Sequence, residues 1–251
     1  MANNRAEWFE DWFDDLYLQL YSHRDKKEAR MFLNLLQEEY PESLIGNKLD
    51  LACGAGRHSF LLKELFNGDV ISLDLSRHLL KEASQNLESS DNPMFVEGDI
   101  RYLPFRDSCF NLILNMFTSF GYFSDERMLI NTLTEINRTL KNDGLFILDL
   151  MNKEYTIRNL VEHDEVIRGK YQIKQDRHYS KNTRTVKKKI TIYENNHQIR
   201  EITESVRIFD QDEISKLLDE SGFKVKNSFG DYNDTVYNVE TSKRMIVISG
   251  K

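Results

Sequence analysis

The chain has 251 residues and a formal net charge of −7, with 40% hydrophobic and 30% charged residues. This composition excludes a disordered tail and a collagen-like repeat, because enough large apolar residues are present to build a core. No apolar stretch approaches the roughly 20 residues that span a bilayer. The first 15 residues hold two Trp and five acidic residues and lack the pattern of a secretory signal. Two cysteines cannot form a disulfide framework, so we expect a cytoplasmic protein without membrane contact.

Two helices are predicted at the start of the chain. Aromatic and leucine residues from Trp8 to Leu20 recur at i, i+4 spacing, which predicts the first helix. The second runs over residues 28–40 and ends before Pro41. Six of the 28 aromatic residues lie within the first 21 positions. They indicate either a helix packed on the body of the protein or a lid over a ligand, and we expect residues 1–44 to form such a helical lid.

From residue 47 onward, short apolar segments alternate with amphipathic ones. Strands are predicted at 47–52, 70–74, 94–98, 110–115 and 145–151, with helices at 57–66, 76–88 and 125–141. Because this alternation is typical of right-handed βαβ units, it predicts a parallel sheet covered by helices on both faces. Asp210 is expected to cap a helix over 212–221, and two final strands are predicted near 223–230 and 243–249.

Residues 153–209 interrupt this rhythm. Segments 168–179, 184–194 and 199–209 are rich in Thr, Ile, Val and Tyr, with Asn-containing turn signals between them, and they predict three inserted antiparallel strands. Residues 151–209 also hold 13 Lys and Arg against 8 Asp and Glu, a net charge of +5, which leaves −12 for the remainder. The basic insertion is either a solvated sheet face or a surface for an acidic substrate or another subunit. The overall excess of acid argues against general nucleic-acid binding.

The segment most informative about chemistry runs from Lys48 to His58. A strand ends in Asp50, passes through Gly54 and Gly56, and enters a helix. Glycines let the backbone approach a ligand closely, and the helix start offers free N–H groups. In an open α/β sheet, ligands bind at this point, beyond the carboxyl end of the first strand.

Acidic and polar residues end the next three predicted strands. Asp74 follows the second strand, where a carboxylate can accept both ribose hydroxyls of a nucleoside. Asp99 follows the third, where it could accept a hydrogen bond from an adenine amino group, and Asn115 ends the fourth. A lone Gly-x-Gly is weak evidence, whereas this ordered set is specific.

The ordered set resembles the class I S-adenosylmethionine-dependent methyltransferases of the bacterial small-molecule type. The five segments that resemble the family's motifs are LDLACGAGRH, VISLDLS, VEGDIRYLPF, FNLILNMFTSFGYF and LKNDGLFILDL. The resemblance implies a Rossmann-like α/β fold with a seven-stranded, mostly parallel sheet and helices on both faces. Residues 45–152 and 210–251 would form the cofactor-binding core, and 153–209 an inserted antiparallel β cap over the acceptor pocket.

The resemblance also implies roles for individual residues. Asp50, Ala52 and Gly54 would line the methionine part of the cofactor, and Asp74 with Leu75 the ribose side. The adenine would contact Asp99 and Ile100, and the sulfonium would lie near Asn115, Met116 and Phe117. The family often has Gly at the position of Ala52, which is still a small residue.

Further similarity to the subgroup concerns residues around the acceptor. Tyr21 would cover the cofactor and Arg24 could pair with its carboxylate, although both could equally be structural. Tyr122 is the acceptor-side candidate, which could orient or deprotonate an acceptor or simply wall the pocket. His58 is expected on the helix surface, and Cys53 as a small packing residue rather than a nucleophile.

The sequence thus predicts an enzyme that uses S-adenosyl-L-methionine, yields S-adenosyl-L-homocysteine and methylates a small molecule by in-line displacement. No metal is expected, because the six histidines form no ligand cluster. Alternatives are a non-catalytic binder of either cofactor form, an RNA or protein methyltransferase, and an NAD enzyme. The last is disfavoured because Ser59 replaces the third glycine of the dinucleotide fingerprint. The acceptor is not identified, and both a monomer and a homodimer are compatible with the sequence.

Overall fold

The computed structural model describes residues 7–10, 12–21, 26–87, 92–233 and 235–251. Its helices are α1 (Asp15–Leu20), α2 (Lys26–Glu39), α3 (Arg57–Leu65), α4 (Arg77–Gln85), α5 (Glu126–Thr139), α6 (Lys153–Arg158) and α7 (Gln211–Glu220). Its strands are β1 (Lys48–Leu51), β2 (Val70–Asp74), β3 (Met94–Glu97), β4 (Phe110–Asn115), β5 (Leu140–Met151), β6 (His163–Arg168), β7 (Tyr171–Ser180), β8 (Thr185–Glu194), β9 (His197–Arg207), β10 (Lys224–Phe229) and β11 (Arg244–Gly250). No helix in these ranges is long and apolar enough to cross a membrane.

Seven strands of the described chain form one sheet in the order β3-β2-β1-β4-β5-β11-β10. The first five strands along the chain pair in parallel, while β11 runs antiparallel to both of its neighbours. This confirms the predicted Rossmann-like, mostly parallel sheet. The order reverses direction between β1 and β4, and such a switch point opens a crevice at the carboxyl ends of the strands.

The sheet buries side chains on both faces. Along β5, Phe146 and Leu148 pack with α5 and α7, whereas Leu145 and Ile147 face α2 and α3. Successive residues of a strand point to opposite faces, so a continuous apolar run is needed where helices cover both sides. The predicted two-sided cover is therefore present.

The insertion forms a second, antiparallel sheet with the order β6-β7-β8-β9 among the described residues. The prediction of three strands was incomplete, because β6 was missed. Its sequence His-Asp-Glu-Val-Ile-Arg is mostly polar and it lies at a sheet edge, so it lacks an apolar pattern. The predicted turn at Asn195 and Asn196 joins β8 to β9, with φ values of +50° and +65°, as tight hairpins require.

The N-terminal segment, described over residues 7–10 and 12–21, packs between the two sheets. The predicted helix over Trp8–Leu20 is shorter than expected, since α1 begins at Asp15 after a series of turns. Asp14 caps α1 by accepting hydrogen bonds from the N–H groups of Leu16 and Tyr17. Trp12 is fully buried with the apolar residues of the inserted sheet, while Phe9 belongs to the core under the main sheet.

We expect Asp210→Ala to lower the free energy of unfolding by about 1 kcal/mol, the usual loss for a helix N-cap. Asp210 begins α7 with the predicted cap: its carboxylate accepts the Glu213 N–H, and the Glu213 side chain accepts the Asp210 N–H. Urea unfolding measures the change. Asp219→Ala, at an exposed position of the same helix, is the control and should change stability by less than about 0.5 kcal/mol. Equal effects of the two variants would contradict the capping role.

Candidate active site

A cavity of about 310 Å³ opens at the carboxyl ends of β1, β2, β3 and β4. The sequence-predicted residues that line it are Tyr21, Asp50, Ala52, Gly54, Asp74, Leu75, Asp99, Ile100, Met116, Phe117 and Tyr122. Asn115 does not line it: this residue is buried behind the cavity, where its amide donates to the Leu51 carbonyl over 3.1 Å. Arg24 lies outside the described residues. The structure thus brings most of the predicted residues into one place.

The loop after β1 forms one wall of the cavity with a left-handed backbone. Ala52, Gly54 and Gly56 have φ values of +55°, +58° and +79°. At Gly56 the positive φ favours glycine, and a Cβ atom would also lie only 3.0 Å from the Phe95 ring, so a larger residue would both strain the backbone and crowd this ring. Ala52 adopts a conformation that costs a residue with a Cβ roughly 1–2 kcal/mol. The substitution of Ala for the family's Gly is therefore accommodated with strain.

Asp74 connects the first two loops of the sheet. Its carboxylate accepts the Gly54 N–H over 2.7 Å and the Ser76 N–H over 2.8 Å. Burial raises the pKa of this carboxyl, and the backbone N–H groups oppose that change. Each carboxylate oxygen has two acceptor sites, so Asp74 retains capacity for two ligand hydroxyls.

Asp50 is a second buried carboxyl in the cavity. Burial raises its pKa to about 7, the Ser59 hydroxyl donates to it over 2.6 Å and opposes the increase, and the nearby charge of Asp74 adds to it. Two desolvated acids in one cavity favour a ligand that carries positive charge, because such a ligand stabilises both carboxylates.

Asp99 and Ile100, which follow β3 in the chain, line one end of the first cavity. Ile100 is buried and contributes an apolar surface. Asp99 is engaged by Arg101, whose Nη2 lies 2.6 Å from a carboxylate oxygen, and Arg101 also pairs with Glu7 of the N-terminal segment over 3.0 Å. Arg101 was not among the residues predicted from the sequence. It joins the N-terminal segment over the cavity to Asp99, the acid predicted on the adenine side.

Aromatic rings of the N-terminal segment form the roof. Phe9 and Phe13 stack against Tyr122 with centroid distances of 5.7 and 6.1 Å, and Trp8 contacts the same ring edge-on at 4.7 Å. Phe9, Phe13 and Tyr17 line the cavity. The Ser76 hydroxyl donates to the Phe13 carbonyl over 2.9 Å and joins this roof to the start of α4.

The wall beside β4 carries Phe117 between charged and aromatic groups. The Arg57 guanidinium lies 4.0 Å from the centroid of the Phe117 ring, and the His58 ring lies 5.6 Å away. The expectation that His58 lies on the helix surface was wrong: it is buried and lines the cavity. Burial lowers the pKa of this imidazole to about 3, with Arg57 contributing, so His58 is neutral near pH 7. It turns inward because position 58 lies in the first turn of α3, directly over the strand ends.

A second cavity of about 590 Å³ adjoins the first. Phe13, Tyr17, Phe117 and Tyr122 line both cavities. Its far wall comes from the inserted sheet, where Lys188 and Glu204 lie 3.6 Å apart. Tyr21 is joined to both: its hydroxyl donates to Glu204 over 2.9 Å and accepts from Lys188 over 2.6 Å.

The groups that line the first cavity would fit S-adenosylmethionine. Asp74 could accept the ribose hydroxyls, Ile100 could pack against the adenine, and the Asp50 carboxylate could accept the methionine ammonium. The aromatic roof suits the sulfonium, since cations are attracted to ring faces. Within the described ranges, no three His, Cys, Asp or Glu side chains come together as metal ligands.

Comparison with known proteins agrees with this geometry. Residues 49–144 match the model of a methyltransferase domain family. An uncharacterized protein of Methanocaldococcus jannaschii is 26% identical over 219 residues, which cover 86% of this chain and 78% of that protein. The putative methyltransferase YqeM of Bacillus subtilis is 30% identical over 135 residues, which cover 54% of this chain and 52% of that protein. The match therefore spans about half of this second relative.

Solved structures share the fold over nearly the whole chain. The CcbJ methyltransferase of Streptomyces caelestis has a TM-score of 0.80 at 14% identity and covers 96% of this chain and 98% of its own. The S-adenosylmethionine-bound amino pentose methyltransferase CalS10 of Micromonospora echinaspora has a TM-score of 0.68 at 15% identity, with coverages of 93% and 95%. The matched domain and the named relatives indicate a methyltransferase that uses S-adenosylmethionine. Residues 49–144 thus carry a methyltransferase domain, and the chain as a whole has the fold of these S-adenosylmethionine-dependent methyltransferases.

The raised pKa of Asp50 predicts that cofactor affinity depends on pH. Below about pH 7 the free carboxyl is protonated, while a bound methionine ammonium would favour the carboxylate. The affinity for S-adenosylhomocysteine should therefore rise with pH, by up to about tenfold per unit below that value, and binding should release a proton. Calorimetry in two buffers of different ionisation enthalpy measures both effects. Asp50→Asn should remove them, and a wild-type protein whose affinity does not change with pH would contradict the assignment.

Proposed function

We propose that the protein transfers the methyl group of S-adenosylmethionine to a small molecule bound in the second cavity. The observation that carries this proposal is the pair of adjoining cavities that share a wall at Phe117 and Tyr122. The first cavity has the acceptor groups and the apolar surface that the cofactor would need. The volume of the second cavity, about 590 Å³, lies in the range of small-ligand sites. An acceptor there would face the end of β4, next to the predicted position of the sulfonium.

The cofactor, when bound, supplies an electrophilic methyl group on a positively charged sulfur. Asp74 would fix the ribose and Asp50 the ammonium, which together set the direction of the sulfur–methyl bond. Phe9, Phe13 and Tyr122 would exclude water around it, and exclusion of water strengthens electrostatic contacts in the site. Positioning two reactants in this way can contribute about 7–11 kcal/mol to lowering the barrier.

The N-terminal segment and the inserted sheet act, in this proposal, as the two covers of the site. Residues 1–44 would form the lid over the cofactor, and 153–209 the cap over the acceptor. The contact of Trp12 with the inserted sheet supports this division, because its indole N–H donates to Glu204 over 2.7 Å. Tyr122 is the proposed acceptor-side residue, since its ring lies between the two cavities.

Several features support a small acceptor rather than a nucleic acid or a protein. The second cavity is covered by the N-terminal segment and the inserted sheet, and the body outside the insertion carries a net charge of −12. The structural neighbour CalS10 is an amino pentose methyltransferase, and an amino pentose is a small molecule. We also propose a cytoplasmic location, on the basis of the free thiols of Cys53 and Cys109. A monomer and a homodimer both fit.

Calorimetric titration with S-adenosylmethionine and S-adenosylhomocysteine tests the cofactor site. We expect Asp74→Ala to weaken binding of both by about 100-fold or more, because two hydrogen bonds to a charged acceptor contribute about 3 kcal/mol together. Asp69→Ala removes an exposed acid five residues earlier in the chain and should bind as the wild type does. Folded wild-type protein that binds neither compound would refute the proposal.

Transfer itself is tested with methyl-labelled S-adenosylmethionine and a panel of small amines, alcohols, thiols and carbon acids. Label should pass to a small molecule and S-adenosylhomocysteine should accumulate in equal amount. Binding of the cofactor without transfer to any compound would favour a non-catalytic binder. Transfer to RNA or protein, with affinity that falls steeply with salt in the RNA case, would replace the small-molecule acceptor.

A further inference from the structure

The turn that follows β4 has an unusual backbone. Phe117 and Thr118 have φ values of +59° and +67°, although neither is glycine. Left-handed conformations are costly for residues with a Cβ, and Thr is β-branched as well. Such a conformation persists where surrounding contacts hold it. Phe117 lines both cavities, so the shape of this turn sets the wall between cofactor and acceptor.

Asp149 accepts hydrogen bonds from both backbone N–H groups of this turn. The Phe117 N–H donates to the Asp149 carboxylate over 2.9 Å, and the Thr118 N–H donates to the Asp149 carbonyl over 2.9 Å. Asp149 is fully buried in β5, and its carboxylate also accepts the Tyr232 hydroxyl over 2.6 Å. The turn is thus attached to the interior of the neighbouring strand by two hydrogen bonds.

Arg244, the first residue of β11, completes the contact. Its Nε donates to the Asp149 carboxylate over 2.7 Å, and its Nη2 lies 2.6 Å from the same carboxylate and donates to the Thr118 hydroxyl over 3.0 Å. The guanidinium also lies 5.9 Å from the centroid of the Phe117 ring. Burial lowers the pKa of Arg244, but the charge and hydrogen bond of Asp149, with contributions from Tyr232 and Glu28, together raise this pKa overall, so the guanidinium stays charged.

An ion pair is an expensive way to join β5 to β11. Desolvation of two charges often offsets their attraction, and well-packed apolar residues commonly serve stability as well or better. The neighbours of Asp149 along β5, Leu148 and Leu150, are apolar. The two charged side chains add two hydrogen bonds that apolar residues could not form. The Asp149 carboxylate accepts the Phe117 N–H, and Arg244 donates to the Thr118 hydroxyl.

We propose that Asp149 and Arg244 are positioning residues that hold the Phe117–Thr118 turn in its left-handed conformation and so set the wall between the cofactor and the acceptor. This inference rests on the proposed function, since it assigns the two cavities to cofactor and acceptor. In this role both residues act through the turn. Because Arg244 also lines the second cavity, the test measures binding in the first cavity, which neither Asp149 nor Arg244 lines.

The test separates positioning from stability by means of an apolar variant. Asp149→Leu/Arg244→Met/Tyr232→Phe removes both charges and the hydroxyl that would be left without its acceptor. We expect this protein to fold and melt near the wild-type temperature, but to bind S-adenosylhomocysteine about tenfold more weakly by calorimetry. Tyr232→Phe alone is the matched control: it removes one bond to the Asp149 carboxylate and none to the turn, and its affinity should equal that of the wild type.

Rescue by glycine supplies a readout that a purely structural role would not give. Glycine adopts positive φ without strain, so adding Thr118→Gly to the apolar variant should recover several-fold of the lost affinity. The same substitution in the wild-type background should change affinity little. Wild-type affinity in the folded apolar variant, or absence of recovery by glycine, would overturn the inference.

A milder pair of variants covers the case in which the apolar variant does not fold. Thr118→Val keeps the shape of the side chain but removes the hydroxyl that accepts from Arg244, and it should weaken S-adenosylhomocysteine binding several-fold. Thr118→Ser keeps the hydroxyl and should bind as the wild type does; equal affinities of the two variants would contradict the inference. A wild-type protein that binds no S-adenosylhomocysteine would instead defeat the proposed function, so the two failures are distinguishable.

Discussion

The arrangement of the first cavity depends on the hydrogen bonds of one buried group, the Asp74 carboxylate. Its two hydrogen bonds join the glycine loop after β1 to the start of α4, and the Ser76 hydroxyl extends the connection to the Phe13 carbonyl of the N-terminal segment. Three separate parts of the chain are therefore arranged around one buried acid. A ligand that satisfies the remaining acceptor sites of Asp74 would stabilise all three together, because it adds bonds to a group that is already desolvated.

A comparable junction lies between the two sheets at Glu204. This residue of β9 accepts hydrogen bonds from Trp12 and Tyr21 of the N-terminal segment. The segment thus contacts the loop after β3 through the Glu7–Arg101 ion pair and the inserted sheet through Glu204. Aromatic rings of the segment also line both cavities. Movement of the inserted sheet would therefore displace rings in the first cavity, and a ligand in the first cavity would restrict movement of the inserted sheet.

Structural features that depend on neighbouring residues in the chain were predictable from the sequence. Features that depend on contacts between distant residues were not. The strand–helix alternation and the acids Asp50 and Asp74 were found because period, spacing and turn residues are local signals. The missed strand β6 is polar because it lies at an edge. The pairing of Asp149 with Arg244 joins positions 95 residues apart, so no pattern within either segment indicates it. The burial of His58 likewise follows from how α3 sits on the strand ends.

The roof over the first cavity would affect when a bound nucleoside can be exchanged. The N-terminal segment is joined to the rest of the protein by the Glu7–Arg101 ion pair and by the hydrogen bond from Ser76 to the Phe13 carbonyl. A segment that parted from the first cavity would break both contacts. Opening of covers of this kind takes microseconds to milliseconds and often limits turnover. In an enzyme with such a cover, release of the spent nucleoside would be a step separate from methyl transfer, and these two contacts would oppose it.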